Sequence, residues 1–277
     1  MSVVLWCDGA LRDAGAPLVS PLDHGFTVGD GVFETCELAG GRAFALTRHL
    51  ARLARSAEGL GLALPPEGEV RTAVGAVVDA WGTATGRLRI TVTAGAGPLG
   101  SDRGSAPPTL VVAATTARPP RPMRVHVVPW TRNERSAVAG LKTTSYAENV
   151  VALARAHAAG ADEALFANTR GELCEGSFTN VFVERDGEVL TPPLESGCLA
   201  GVTRELVLEW ARHAAFPLRE ATLPIDVLGT AGHVALTSSL RGVVPVVAVD
   251  ERALEPGPLT ARLAALFDER RAADVDP

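Results

Sequence analysis

Apolar residues change period several times along the chain, and each change marks an element. Val3 to Trp6 reads as a strand closed by a turn at Asp8-Gly9. The glycines of Asp23-His24-Gly25 and Gly29-Asp30-Gly31 continue an alternation of strands and turns around Phe26 and Val28. From Thr47, a candidate N-cap, Leu50, Leu53, Ala57 and Leu60 recur at helical spacing until Gly61, while Arg48, Arg52 and Arg55 follow another face. Glu67 to Trp81 predicts a second helix, and Arg87 to Ala94 and Thr109 to Ala114 predict strands. Together these elements suit one α+β lobe.

The segment Ala117-Arg118-Pro119-Pro120-Arg121-Pro122 interrupts the pattern, because clustered prolines exclude helix and sheet interior and favour an extended connection. We therefore expect a small N-terminal domain over residues 1–117, a linker at 118–122 and a larger domain over 123–277. In the second half the pattern predicts strands at Val125 to Val128, Glu163 to Ala167, Asn180 to Glu184, His233 to Thr237 and Val243 to Val249. It predicts helices at Ala147 to Ala159, Thr203 to His213 and Leu259 to Arg271, the first of them close behind Lys142 and carrying Tyr146.

Composition narrows the function. With 47% hydrophobic and 21% charged residues the chain resembles a soluble globular protein, and no apolar run approaches a membrane span. The start reaches Asp8 before any signal-peptide core forms, so a cytoplasmic protein is expected. A net charge of −6 and few aromatic residues argue against nucleic-acid binding. Four cysteines far apart and six histidines without ligand spacing predict reduced thiols and no metal.

The 26 basic residues divide into 25 arginines and one lysine, Lys142. Arginine stays protonated and cannot serve as an amine nucleophile, so Lys142 stands where an amine is needed. The only tyrosine, Tyr146, follows four residues later. A pyridoxal-phosphate site needs an amine for a Schiff base, an acid against the pyridine nitrogen, a donor to the phenolic oxygen and an anion site for the phosphate. Lys142 and Tyr146 are candidates for the first and third. Glu175, in a stretch of apolar and small residues, is a candidate for the acid, with a solvated turn glutamate as the plain alternative. Gly201-Val202-Thr203 opens a helix whose first amides suit an anion, and Thr237-Ser238-Ser239 adds hydroxyls, although helix caps and strand-end turns use the same residues. Arg52 reads equally as a solvated face. Gly29-Asp30-Gly31 lacks the pattern of a nucleotide-binding loop.

Five separated motifs resemble the fold-type IV pyridoxal-phosphate enzymes, or class IV aminotransferases, over about Leu22 to Pro245. They are Asp23-His24-Gly25 with Gly29-Asp30-Gly31-Val32-Phe33-Glu34-Thr35, His49-Leu50-Ala51-Arg52-Leu53, Leu141-Lys142-Thr143-Thr144-Ser145-Tyr146, Glu175-Gly176-Ser177-Phe178-Thr179-Asn180-Val181-Phe182, and Gly201-Val202-Thr203-Arg204. The resemblance implies a two-domain fold, a small N-terminal α+β domain and a larger strand-rich C-terminal one, with pyridoxal 5'-phosphate as cofactor, a small-molecule amine as substrate and a homodimer as the working unit. It makes Lys142 the catalytic lysine and Glu175 the acid at the pyridinium nitrogen. Tyr146 would lie near the phenolic oxygen, with Arg52, Val202, Thr203 and Ser239, joined by Ser238, on the phosphate. Within the family, the Gly-Asp-Gly-x-Phe-x-Thr motif, the short length and the lack of an arginine and histidine after Thr91-Val92-Thr93-Ala94-Gly95 resemble 4-amino-4-deoxychorismate lyase most. Transamination of D- or branched-chain amino acids is the alternative, and a cofactor-free binding protein a third reading. Arg87, Arg89 and Arg103 remain open as the residue meeting a substrate carboxylate.

Overall fold

The computed structural model describes residues 3–277, which form two compact units. Residues 3–118, 141–146 and 275–277 make the first, and 119–140 with 147–274 the second. The chain thus divides between Arg118 and Pro119, inside the proline-rich segment. The Lys142 segment and the last three residues, however, pack in the first unit, where sequence order alone does not put them.

In the first unit, strands β1 (Val3–Cys7) and β2 (Ala10–Arg12) precede a short helix α1 (His24–Thr27). Next come β3 (Gly31–Ala39), β4 (Arg42–Ala43), helices α2 (Leu46–Leu60) and α3 (Glu67–Trp81), and strands β5 (Gly86–Thr93) and β6 (Thr109–Thr116). Asp23-His24-Gly25, read as a turn, opens helix α1, with the Asp23 carboxylate accepting the Gly25 amide at 2.8 Å. The strands form one antiparallel sheet in the order β2-β1-β6-β5-β3-β4. In β5 the period is two: Leu88, Ile90 and Val92 are buried while Arg87 and Arg89 are exposed on the other face. Leu50, Leu53, Val70, Val74 and Val77 of α2 and α3 join the buried face in one core. Each such side chain contributes about 1.5–3 kcal/mol on burial.

Helix α2 corrects one expectation. Its N-cap position is Ala45, in the left-handed region at φ 53°, and makes no side-chain cap bond. Thr47 lies inside the helix and is itself capped. Its amide donates to Asp276 Oδ1 at 2.8 Å and its hydroxyl to Asp276 Oδ2 at 2.6 Å, while Arg48 Nε donates to the Pro277 carbonyl at 2.8 Å. The end of the chain supplies the anion that the helix N-terminus favours.

The second unit contains β7 (Met123–Arg132), α4 (Ala147–Ala158), β8 (Glu163–Asn168), β9 (Leu173–Gly176), β10 (Asn180–Arg185), β11 (Glu188–Thr191) and α5 (Val202–His213). It continues with β12 (Leu218–Glu220), α6 (Val227–Thr230), β13 (His233–Ser238), β14 (Gly242–Val249), β15 (Arg252–Ala253) and α7 (Pro258–Ala273). Its nine-stranded sheet runs β12-β11-β10-β13-β14-β7-β8-β9, with β15 beside β14. The β14-β7-β8 pairs are parallel, and the central strands read as continuous apolar runs such as Val181-Phe182-Val183 because both faces are buried. Tyr146 precedes α4 instead of lying on it. All four cysteines are free and buried. Among the described residues no helix is long and apolar enough to cross a membrane.

Candidate active site

In the first unit the Lys142 segment is held by the start of β3, where the short β4 leaves the strand edge open. Phe33 N donates to the Lys142 carbonyl at 3.0 Å, Thr144 N to the Gly31 carbonyl at 2.8 Å, and Val32 bridges Thr143. Thr144 Oγ1 and Ser145 Oγ both donate to the Gly29 carbonyl, at 2.8 and 3.0 Å. This docking explains the two glycines: a Cβ on Gly29, at φ 71°, would meet Ser145 Oγ at 2.7 Å, and one on Gly31 would meet the Val92 carbonyl at 2.8 Å. Two motifs far apart in sequence are thus one interlocked piece of backbone. Lys142 Nζ lies 4.3 Å from the centre of the Phe33 ring and 5.8 Å from that of Tyr146, and the two rings meet edge-to-face at 5.2 Å.

Behind this segment lies a buried ionic cluster. Alternation in β3 turns Val32, Glu34 and Cys36 towards helix α2, whose His49, Arg52 and Ser56 are spaced to face them. Glu34 Oε1 accepts from Arg52 Nε at 2.7 Å, and Oε2 from Arg52 Nη2 at 2.7 Å and His49 Nδ1 at 2.6 Å. Burial alone would raise the Glu34 pKa, but Arg52 and His49 outweigh it and hold the carboxylate well below its usual range. Burial lowers His49, so a neutral ring donating from Nδ1 fits the pair. Arg52 is 5% exposed, which replaces the solvated-face reading with a buried, bidentate guanidinium. Ser56 Oγ, one turn further, accepts the Lys142 amide at 3.1 Å.

In the second unit Glu175 sits on β9, not in a solvated turn. Its Oε2 accepts the Leu199 amide at 2.8 Å and its Oε1 lies 3.2 Å from Arg132 Nε. Arg132 also binds Glu148, and Asn149 Oδ1 at 3.2 Å, and covers the Phe166 ring at 4.3 Å. The turn after Glu175 is fixed by Glu163 at the start of β8. This buried carboxylate accepts from the amides of Ala164, Ser177 and Phe178 at 2.8, 3.0 and 3.3 Å, from Thr179 Oγ1 at 3.0 Å, and from Ser177 Oγ. Burial pushes the Glu163 pKa up to about 7 against these donors.

Asn180, beside Thr237 in register, ties the Leu199 carbonyl at 2.9 Å, and its Oδ1 would lie 2.0 Å from a Cβ on Gly201. Helix α5 starts next to it at Val202, with Gly201 as an N-cap lacking any side-chain bond. Thr203 is therefore not the cap, and Val202 and Thr203 present first-turn amides. Thr237 Oγ1 and Ser238 Oγ are buried without a hydrogen-bond partner, and Ser239 follows in the turn after β13. Buried orphan hydroxyls on a strand paired to the residue that abuts an uncapped helix start fit an oxyanion such as a phosphate.

Each unit therefore assembles its own set: Lys142, Tyr146 and Arg52 in the first, and Glu175, Val202, Thr203, Ser238 and Ser239 in the second. Sequence reasoning did not single out Glu34, His49, Arg132 or Glu163. For Glu34 and His49 the signal was present: charged residues at buried phases of a strand and of an amphipathic helix.

Comparison with known proteins agrees with this chemistry. Residues 31–249 match the model of the amino-transferase class IV family. The chain belongs to the class IV aminotransferases, which depend on pyridoxal phosphate, and it is an enzyme of the transaminase or lyase type. It is similar to the bifunctional aminodeoxychorismate lyase / D-amino acid transaminase of Mycobacterium tuberculosis, 29% identical over 304 residues and covering 98% of this chain and 100% of that one. Among solved structures it resembles the branched-chain aminotransferase of Thermoproteus uzoniensis, with a TM-score of 0.89 and 30% identity over 97% of this chain and 93% of that one. It also resembles the PLP-bound form of a hypothetical aminotransferase from Mycobacterium tuberculosis, with a TM-score of 0.88 and 28% identity over 98% and 99%.

Proposed function

We propose that the chain is a 4-amino-4-deoxychorismate lyase, releasing 4-aminobenzoate and pyruvate for folate synthesis. The observation that carries the reading is the turn after β5. Where a D-amino-acid enzyme would place an arginine and a histidine to grip an α-carboxylate, this chain has Ala94-Gly95-Ala96-Gly97. The space is closed: a Cβ on Gly95 would meet the Pro107 carbonyl at 2.2 Å, and one on Gly97 would meet His24 Nε2 at 2.7 Å. A side chain at Gly95 or Gly97 would force these neighbours to shift. A lyase substrate bears its amine on a ring and its carboxylates further away, so it does not need that grip.

When bound, pyridoxal phosphate supplies an aldehyde that takes up amines and a ring that draws electrons from the neighbouring carbon. Lys142 provides the amine that holds it, and in turnover Nζ moves the proton from the amine-bearing carbon of the substrate. Glu175, oriented by Arg132 and the Leu199 amide, serves the ring nitrogen. Tyr146 lies beside Lys142 for the phenolic oxygen. Arg52, fixed by its pair with Glu34, and Val202, Thr203, Ser238 and Ser239 take the phosphate. Loss of the enolpyruvyl group as pyruvate then leaves an aromatic product.

Amino-acid transamination is the second reading, and the bifunctional name of the Mycobacterium tuberculosis relative favours keeping it. We further propose a cytoplasmic homodimer. Exposed apolar residues support association: Phe26 is 76% exposed beside Leu22 and Val28, and Val150 is 63% exposed near Val151. Steady-state assays with aminodeoxychorismate should release pyruvate and 4-aminobenzoate faster than any common L- or D-amino acid is deaminated. Rapid half-reaction with one amino acid and no 4-aminobenzoate would refute the lyase reading.

A further inference from the structure

In the second unit the acid proposed for the ring nitrogen and the hydroxyls proposed for the phosphate belong to two turns that lie side by side. Strands β10 and β13 pair antiparallel, with Asn180 opposite Thr237. Gly176-Ser177-Phe178-Thr179 follows Glu175 and enters β10, while Ser238 and Ser239 leave β13, so both turns stand at the same end of the sheet. Continuing the register by two residues sets Phe178 against Ser239.

The first turn is tied down from within. Gly176 N donates to the Thr179 carbonyl at 2.8 Å, and the buried Glu163 accepts from Ser177, Phe178 and Thr179. The Phe178 ring packs on the apolar core of the unit, which fixes its plane. In the second turn, Ser238 pairs with Gly242, so Ser239, Leu240 and Arg241 make the loop of a hairpin, closed by Arg241 N donating to the Ser238 carbonyl at 3.1 Å. The Arg241 side chain then crosses to the other turn. Its guanidinium carbon lies 4.9 Å from the centre of the Phe178 ring, and both residues are half-buried, which strengthens a cation–π contact by keeping water off it.

We propose that Arg241 is a positioning residue for the cofactor. Its stack on Phe178 clamps the Ser238-Ser239 loop to the turn that follows Glu175, and so fixes the distance between the phosphate donors and the acid at the ring nitrogen. A ligand that reaches from one turn to the other is sensitive to that distance, and one that engages only the Glu175 end is not. The inference rests on the reading of Glu175, Ser238 and Ser239 as the two ends of the cofactor site, and is independent of the choice between lyase and transaminase.

The test compares wild type, Arg241→Met, Phe178→Leu and the double variant for the dissociation constants of pyridoxal 5'-phosphate and of pyridoxal, which lacks the phosphate, read from the visible absorbance of the bound ligand. Each single variant should weaken pyridoxal 5'-phosphate by about three- to ten-fold, the span of one partly desolvated cation–π contact, and leave pyridoxal within about two-fold. The double variant should be no weaker than the weaker single one, because both substitutions remove the same contact. Arg241→Lys, which keeps a cation for the ring, should recover most of the affinity. A contact that merely supported the fold would weaken both ligands alike, and that result would overturn the inference. So would unchanged affinity, losses that multiply in the double variant, or a loss with Arg241→Met and none with Phe178→Leu, which would mark Arg241 as acting on the phosphate by charge. Ser238→Ala combined with Ser239→Ala tests the underlying reading separately. Undiminished pyridoxal 5'-phosphate binding by that variant would overturn the phosphate assignment and the inference with it, whereas a loss there with none at Arg241 or Phe178 would overturn the inference alone.

Discussion

Replacing Glu163 by glutamine should flatten the dependence of stability on pH. The Glu163 carboxyl is fully buried, and its hydrogen-bonding partners are Ala164, Ser177, Phe178 and Thr179, with no cation among them. Burial is the largest influence and moves its pKa from 4.5 to about 7. A carboxylate raised in the fold binds its proton more tightly there than in the unfolded chain. Its contribution is therefore fully present below about pH 4.5, declines as the pH rises, and is lost above about 7. At roughly 1.4 kcal/mol per tenfold change in proton affinity, the wild-type protein should lose about 3 kcal/mol from this group across that window. Glutamine has the shape of the protonated acid but does not titrate. Urea unfolding at several values between roughly pH 5 and 8 should show the difference between variant and wild type changing by about that amount. Ser177 and Thr179 can turn their hydroxyls to accept from the new amide, so the variant should fold. Parallel pH profiles for the two proteins would refute the reasoning and mean that Glu163 is ionised throughout or exchanges freely with water.

Lys142→Ala should abolish turnover and leave the fold intact, and borohydride reduction of wild type should place the cofactor mass on the Lys142 peptide; a reduced protein without it there would contradict the assignment. Glu175→Gln should depress turnover at saturating cofactor far more than stability, measured by kcat beside thermal unfolding, because a neutral amide cannot hold a ring nitrogen protonated. Glu34→Ala should cost about 3–5 kcal/mol in urea unfolding by leaving Arg52 and His49 buried without their partner, and should weaken cofactor retention on dialysis. Asp276→Ala should cost about 1 kcal/mol by uncapping α2, read as a lower urea midpoint with an unchanged slope.

How much of this was legible in the sequence depends on the range of the interaction. Helix α3 at Glu67–Trp81 was read with its observed bounds, and the other helices and strands assigned from the pattern to within a few residues, because local periodicity against a buried face is written along the chain itself; β3, at Gly31–Ala39, was not assigned. The family was legible too, since five motifs carry it, and so was the special standing of Lys142, the only amine side chain in a chain otherwise supplied with arginine. Partners distant in sequence were not. The cap of α2 comes from Asp276, the counter-charge of Arg52 from Glu34, and the neighbour of Glu175 from Arg132, each pairing set by how strands and helices stack. Nor could order along the chain say that the Lys142 segment belongs to the first unit, held on the open edge of β3 by two glycines that let the backbones approach. Periodicity is a property of neighbours in sequence, whereas charge pairing is a property of neighbours in space, and only the tertiary structure decides which residues those are.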